Sequence, residues 1–211
     1  MDRIPEPELM LDDAQAEAYA KADFKGAHDR YPILFVETFP NPPKTALVLD
    51  LGCGPCDITM RFARANPGWT FHAVDGSPAM LKRAPRHERI QLIEGYISGA
   101  PIPAKGYDII ISSSLLHHLP DPQALWTTVR QHSRPGTMVF VVDLRRPATL
   151  ADLESLVAKY VGNEPEVYCR DFRNSLHAAF TTEEVRAQTK DLPGLTVKTI
   201  SDRHLMVAGR A

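Results

Sequence analysis

Apolar positions recur along the chain in two rhythms, a spacing of three and four that marks one face of a helix and short unbroken runs of strand length. Ahead of residue 44 only the helical rhythm is found. Ala14, Ala18 and Ala22 share one face of a helix expected from about Asp12 to Asp23, and a second helix is expected from about Ala27 to Thr38, before the turn PNPP. The first ten residues hold two prolines and several acids and read as an extended arm. From Lys44 the two rhythms alternate. TALVLDL, TFHAVD, RIQLIEG, YDIIISSS and GTMVFVVDL read as strands, and ITMRFARAN, SPAMLKRA and DPQALWTTVRQHS as the helices between them. Ser77 is the expected N-cap of the second of these helices, with Pro78 at its first position, and Asp121 caps the third.

Strands and helices that alternate in this way predict an α/β fold with a Rossmann-like, doubly wound and mostly parallel sheet. After Leu144 the pattern changes to a helical TLADLESLVAKYVG, a connector EVYCRDFRNSLHAAF and a helix TTEEVRAQTK opened by a capping box of Thr181 and Glu184. LTVKTIS and HLMVAGRA, parted by a polar turn at Asp202, predict a C-terminal antiparallel hairpin. The expected organisation is one domain over 1–211: N-terminal helices as a cap over 1–43, a cofactor-binding core over 44–144, substrate-side helices over 145–192 and the hairpin over 193–211.

Length and composition fit that scheme. A chain of 211 residues can bury roughly 70% of its unfolded surface in a single core. A net charge of −2 invites neither nucleic acid nor an anionic membrane, and no apolar run reaches the roughly 20 residues that span a bilayer. The odd set Cys53, Cys56 and Cys169 and the lack of a signal-peptide pattern at the N-terminus predict a reducing cytoplasm. The oligomeric state is left open.

The chemistry concentrates in LDLGCGPCD, residues 49–57, a glycine turn between strand and helix. Gly52 and Gly54 let the backbone approach a ligand closely, whereas Asp57, in place of a third glycine, disfavours a pyrophosphate. Asp75 ends the second strand and suits both hydroxyls of a ribose; because Ser77 takes the cap, Asp75 is expected to be free for a ligand. Cys53 and Cys56 have the spacing of a thiolate pair with His117 and His118 as further candidates, but a second pair is missing, so no metal is expected.

LDLGCGPCDITMRFA, FHAVDGSPAML and YDIIISSSLLHHLPDP, taken in order, resemble the class I S-adenosylmethionine-dependent methyltransferases, over about Thr45 to Leu144. The resemblance implies S-adenosyl-L-methionine as cofactor, with its methionine portion at Asp50, Gly52, Cys53 and Gly54 and its ribose at Asp75. Gly76, Ser77 and Met80 would border the adenosine. Tyr96 and Ile97 stand where the family often has an acid for the adenine, and Ser112 would line the floor with Ser113 and Leu115. The implied activity is methyl transfer to a small-molecule acceptor, which attacks in line while the enzyme aligns it, excludes water and accepts a proton where one is released. Transfer to oxygen, nitrogen, sulfur or carbon stays open.

For the acceptor side, His117 is a candidate proton acceptor and His118 reads as structural. Arg170 is a second catalytic candidate, and Tyr19, Phe24, His28, Arg145, Asp171 and His177 are substrate candidates. The arginines suggest an anionic acceptor. Helical packing accounts equally for Tyr19 and Phe24, and salt bridges account for Arg170 and Asp171. Competing functions are a methyltransferase-like binding module, a lyase that uses the same cofactor, and a nicotinamide-dependent reductase that Asp57 disfavours.

Overall fold

The computed structural model describes residues 1–6, 13, 17 and 25–211. Apart from Asp13 and Glu17, the helix expected at Asp12 to Asp23 lies outside the described residues, as do the candidates Tyr19 and Phe24. The expected second helix is broken at Asp29 into α1 (Lys25–His28) and α2 (Arg30–Thr38). The alternating region gives β1 (Ala46–Leu51), α3 (Asp57–Ala65), β2 (Trp69–Asp75), α4 (Pro78–Leu81), β3 (Ile90–Glu94), β4 (Tyr107–Ser113), α5 (Gln123–His132) and β5 (Ser133–Leu144). Then follow α6 (Leu150–Val161), α7 (Glu166–Ala178), α8 (Thr182–Gln188), β6 (Leu195–Thr199) and β7 (His204–Arg210).

The strands form a seven-stranded sheet in the order β3-β2-β1-β4-β5-β7-β6. β1 to β5 run parallel, and β7 runs antiparallel to both β5 and β6, as the hairpin pattern predicts. Strand order reverses between β1 and β4, which leaves a crevice at the carboxyl ends of those strands.

Burial on both faces explains why β1, β4 and β5 read as near-continuous apolar runs. On one face, Phe35 of α2 and Phe62 of α3 pack with Trp69, Phe71 and Phe140 of the sheet. On the other, Leu125 and Trp126 of α5 and Val185 of α8 cover Leu49, Ile110, Val139 and Val207.

Three local expectations need correction. Helix α5 begins at Gln123, and Asp121 serves it by accepting the Gln123 N–H at 2.9 Å rather than as the formal N-cap, which is Pro122. β5 begins at Ser133, before the expected Gly136, because that glycine, at φ 91°, lets the strand pass an irregularity without stopping. The expected connector EVYCRDFRNSLHAAF is largely the helix α7, held to α6 and β5 through Cys169, Phe172 and Leu176. The capping box of Thr181 and Glu184 is present as predicted.

The described part of the extended arm, residues 1–6, is bound to the rest of the chain. The Arg146 Nε donates to the Met1 carbonyl at 3.1 Å, the Ile4 amide to the His177 carbonyl at 3.1 Å, and Arg3 Nε to the Ala178 carbonyl at 2.6 Å. The residues after β5 and at the end of α7 thus draw residues 1–6 across the carboxyl edge of the sheet.

Candidate active site

The loop after β1 is shaped by backbone conformations that L-residues rarely adopt. Gly52 has φ 75° and Gly54 φ 53°, and a Cβ on Gly52 would lie 2.8 Å from the Leu115 side chain. Cys56, at φ 63°, is left-handed without being glycine, which costs about 1–2 kcal/mol. Its fully buried side chain packs with Cys53 and Ala73 and offsets that cost. The amides of Gly52 and Cys53 both donate to the Val74 carbonyl at 2.9 Å, so the loop is fastened to the end of β2.

That fastening corrects the expectation that Asp75 is free. Its Oδ2 accepts the Gly54 amide at 2.7 Å and its Oδ1 the Ser77 amide at 2.8 Å, while the Ser77 hydroxyl caps α4 as predicted by accepting the Met80 amide at 3.2 Å. A carboxylate offers about four acceptor positions, so two remain for ligand hydroxyls. Burial raises the Asp75 carboxyl above its usual range, against the pull of those two amides. Asp50, one residue before the end of β1, is 2% exposed and accepts the Thr59 hydroxyl at 2.6 Å.

The remaining cofactor candidates surround this loop unevenly. Gly76 lies between Asp75 and Ser77, and Met80 is buried. The Ile97 side chain is buried and its carbonyl accepts from Thr128, whereas Tyr96 is half exposed and its carbonyl is taken by the Gly99 amide. The Ser112 hydroxyl donates to the Leu51 carbonyl at 2.8 Å, so this buried side chain joins β4 to β1 instead of facing outward. The thiol of Cys53 is driven well above its ordinary range by burial and by the neighbouring Cys56.

A second group of side chains stands at the ends of β4 and β5. After β4, Ser114 turns the chain at φ 52° into a single 3₁₀ turn, Leu116–His118. His117 is buried, and its Nδ1 lies 2.6 Å from Oδ1 of Asp143, near the end of β5. Asp143 also accepts the amides of Leu116 and Leu144, each at 2.7 Å. Burial alone would raise the Asp143 carboxyl; the His117 ring and the Leu116 amide outweigh it and hold the group below its usual range. Burial pushes the His117 ring down, but Asp143 and Glu6 more than compensate, and its pKa rises.

Glu6, from the arm, completes the group. Its Oε1 lies 3.5 Å from His117 Nε2 and 3.2 Å from His118 Nδ1, and it accepts the Ser175 hydroxyl of α7 at 3.1 Å. Burial raises the Glu6 carboxyl, and the His117 charge only partly opposes it. Arg3 fixes the approach, donating from Nη2 to the carbonyls of His117 and Leu119, both at 3.0 Å, while its guanidinium lies 4.0 Å from the Phe180 ring centroid.

Of the acceptor-side candidates among the described residues, His117 alone belongs to this group as a side chain. Arg170, the second catalytic candidate, is largely exposed and paired with Asp171 at 3.1 Å, because α7 turns it outward. Asp171 is the closer of the two to the site, near enough for its charge to raise the Glu6 carboxyl. Arg145 donates to the Asp202 carbonyl, and His28 Nδ1 lies 2.7 Å from Asp57 at the start of α3. His177 sits at the end of α7, with a buried Nδ1 that has no hydrogen-bond partner among the described residues. Sequence reasoning missed Asp143, Glu6 and Arg3. Asp143 carried a signal, a lone acid near the end of the apolar run VFVVDL, but nothing local marked Glu6 or Arg3.

A methyltransferase-domain family model matches residues 49–139. A ubiquinone biosynthesis O-methyltransferase of Xylella fastidiosa strain 9a5c is 32% identical over 129 residues, 57% of this chain and 50% of that protein. An uncharacterized methyltransferase of Mycobacterium tuberculosis strain H37Rv is 32% identical over 110 residues, 51% of this chain and 55% of its own. The chain thus spans about half the length of the curated relatives it matches. Among solved structures, the plantazolicin methyltransferase BpumL in complex with SAH and a monoazolic desmethylPZN analog superposes with a TM-score of 0.70 at 17% identity, covering 93% of this chain and 89% of that one. A SAM-dependent methyltransferase from Aquifex aeolicus gives 0.68 at 15% identity, covering 95% and 99%. The glycine loop, the reversal of strand order beside it and the antiparallel β7 all agree with these matches: residues 49–139 are similar to a methyltransferase domain, and the fold is that of the solved S-adenosylmethionine-dependent methyltransferases.

Proposed function

We propose that this protein binds S-adenosyl-L-methionine at the β1 and β2 ends and transfers its methyl group to a small-molecule acceptor held near His117. The carrying observation is the meeting, at one edge of the sheet, of a glycine loop bonded to Asp75 and a buried His117–Asp143 pair faced by Glu6. The residues suit the cofactor: the space beside Gly54 is open and Asp75 keeps acceptor capacity for a ribose. When bound, the cofactor supplies an electrophilic methyl group. This chain's own residues then align the acceptor, exclude water through the arm and receive a proton at the Glu6–His117 pair.

The charges support a neutral or cationic acceptor over the anionic one suggested by the arginine count. Arg145, Arg170 and Arg173 are engaged with Asp202, Asp171 and Glu154, whereas Glu6 and Asp143 face His117 and the charge of Asp171 reaches Glu6. Among the described residues no helix is long and apolar enough to cross a membrane. The three free cysteines support a reducing, cytoplasmic setting.

Calorimetry with S-adenosylmethionine and S-adenosylhomocysteine on wild type and Asp75→Ala tests the cofactor reading, with binding expected to be lost in the variant. Equal binding by the two proteins overturns it. Methyl-labelled cofactor incubated with a metabolite extract then reports transfer, and cofactor breakdown without transfer would favour the lyase reading instead.

A further inference from the structure

Three side chains from distant parts of the sequence direct ligand atoms at one point. Nε2 of His117, Nδ1 of His118 and a carboxylate oxygen of Glu6 all lie within 4.8 Å of one another. Two of the three separations are 3.5 and 3.2 Å, both measured from Oε1 of Glu6. Zinc bonds of about 2.0–2.1 Å to nitrogen and oxygen put neighbouring ligands of a tetrahedron about 3.3–3.5 Å apart. The observed spacings match that edge, so an ion fits with only small side-chain movement.

The hydrogen bonds around the group point the same way. Asp143 Oδ1 is 2.6 Å from His117 Nδ1, and both Asp143 oxygens also accept backbone amides. Asp143 therefore accepts the Nδ1–H hydrogen bond, which aims Nε2 at the Glu6 carboxylate, where a metal ion would replace the proton that Nε2 otherwise carries. A carboxylate behind the far nitrogen of a histidine is the usual support of a metal-binding imidazole. Ser175 orients Glu6, and Arg3 holds its segment of chain without entering the group.

We propose that Glu6, His117 and His118 form a site for one divalent transition-metal ion, with zinc the best fit and Asp143 as the positioning residue of His117. Three protein ligands leave the fourth position open, as in sites where a metal receives a substrate oxygen. The ion would take the place of the proton at the Glu6–His117 pair, bind a neutral hydroxyl acceptor at its open position and favour loss of that hydroxyl's proton to water, and balance the buried acids around it. The inference reverses the expectation of no metal, which rested on Cys53 and Cys56; those thiols pack in a separate cluster and are not ligands here.

The test uses the full chain, stripped with a chelator and titrated with Zn²⁺ by calorimetry and with Co²⁺ by visible absorption. One equivalent is expected to bind, with the strong bands of tetrahedral Co²⁺ and no thiolate charge-transfer band. Glu6→Gln and, separately, His118→Gln should weaken binding at least about 10-fold, while Cys53→Ser/Cys56→Ser leaves it unchanged. Circular dichroism establishes that each variant is folded. Absence of binding to wild type, wild-type affinity in either Gln variant, or binding that disappears with the cysteines would overturn the site. S-adenosylhomocysteine affinity is measured on the same apo samples, so loss of the metal proposal and loss of the methyl-transfer reading are read separately.

Discussion

With Asp50 as a cofactor ligand, cofactor binding is expected to release a proton. Burial pushes the Asp50 carboxyl up to about 7 from an ordinary 3.8, with the Thr59 hydroxyl opposing the rise and the Asp75 charge adding to it. A shift of about three units corresponds to about 4 kcal/mol. Because the folded value lies above the unfolded one, Asp50 contributes stability that is complete below about pH 4 and is lost as pH rises through 7. If this carboxylate receives the ammonium of the cofactor's methionine portion, binding selects the ionised form. At pH 6 the free protein then holds about 0.9 proton on Asp50 and releases nearly all of it on binding; at pH 8.5 it releases almost none. Calorimetric titration with S-adenosylhomocysteine, in buffer pairs of different ionisation enthalpy at the two pH values, counts these protons. Asp50→Asn preserves the shape and removes the titrating group, and any proton from the ligand's own amino group is common to both proteins. Equal proton release from wild type at pH 6 and 8.5, or the same pH dependence in the Asn variant, would refute the assignment.

Asp143→Asn removes the carboxylate behind His117, and turnover is expected to fall about 10²- to 10⁴-fold with S-adenosylhomocysteine affinity little changed; a loss of cofactor affinity as large as the loss of rate would contradict this role. Gly52→Ala places a Cβ 2.8 Å from Leu115 at a φ of +75°. It should cost about 1–3 kcal/mol in chemical denaturation and weaken cofactor binding, whereas a cost under about 0.5 kcal/mol would mean that the loop relaxes freely. Burial, assisted by Arg203, pushes His204 down to about 4. The folded value lies below the unfolded one, so its contribution of about 3 kcal/mol is present above about pH 6.5 and is lost as pH falls toward 4. Comparing urea midpoints of wild type and His204→Gln between pH 4 and 7 checks that sign, which is opposite to that of Asp50.

The legible parts of the fold are those whose burial is written locally. β1, β4 and β5 are covered on both faces and need continuous apolar runs, and the β1–α3 turn needs glycines at positive φ. Helix α7 was harder to read because one narrow stripe carries its packing. Cys169, Phe172 and Leu176 do repeat at intervals of three and four, but in EVYCRDFRNSLHA they are surrounded by charges that read as a connector. Asp75 stands at a strand end as expected, and its bonds to the chain's own amides add to the expected one to a ligand. Its partner Gly54 becomes a neighbour only when β2 lies beside β1, whereas the Ser77 amide, two residues on, is a local partner.

Glu6 marks the limit of local inference. In the sequence it is one acid in a proline-containing arm, and its role depends on partners 111, 112 and 169 positions away. Those contacts exist because Arg3 donates to carbonyls of residues 117, 119 and 178, which the chain brings together only after β4 and α7 have packed. Three charge-assisted bonds of about 1.5–3 kcal/mol each, reduced by the entropy of ordering a short segment, suffice to hold the arm down. A residue whose position is set at that distance leaves no periodicity behind. What the sequence does show is the other half of the pair: a buried histidine turn, beside a strand that carries one lone aspartate, requires polar partners, and the arm supplies the one that the sheet does not.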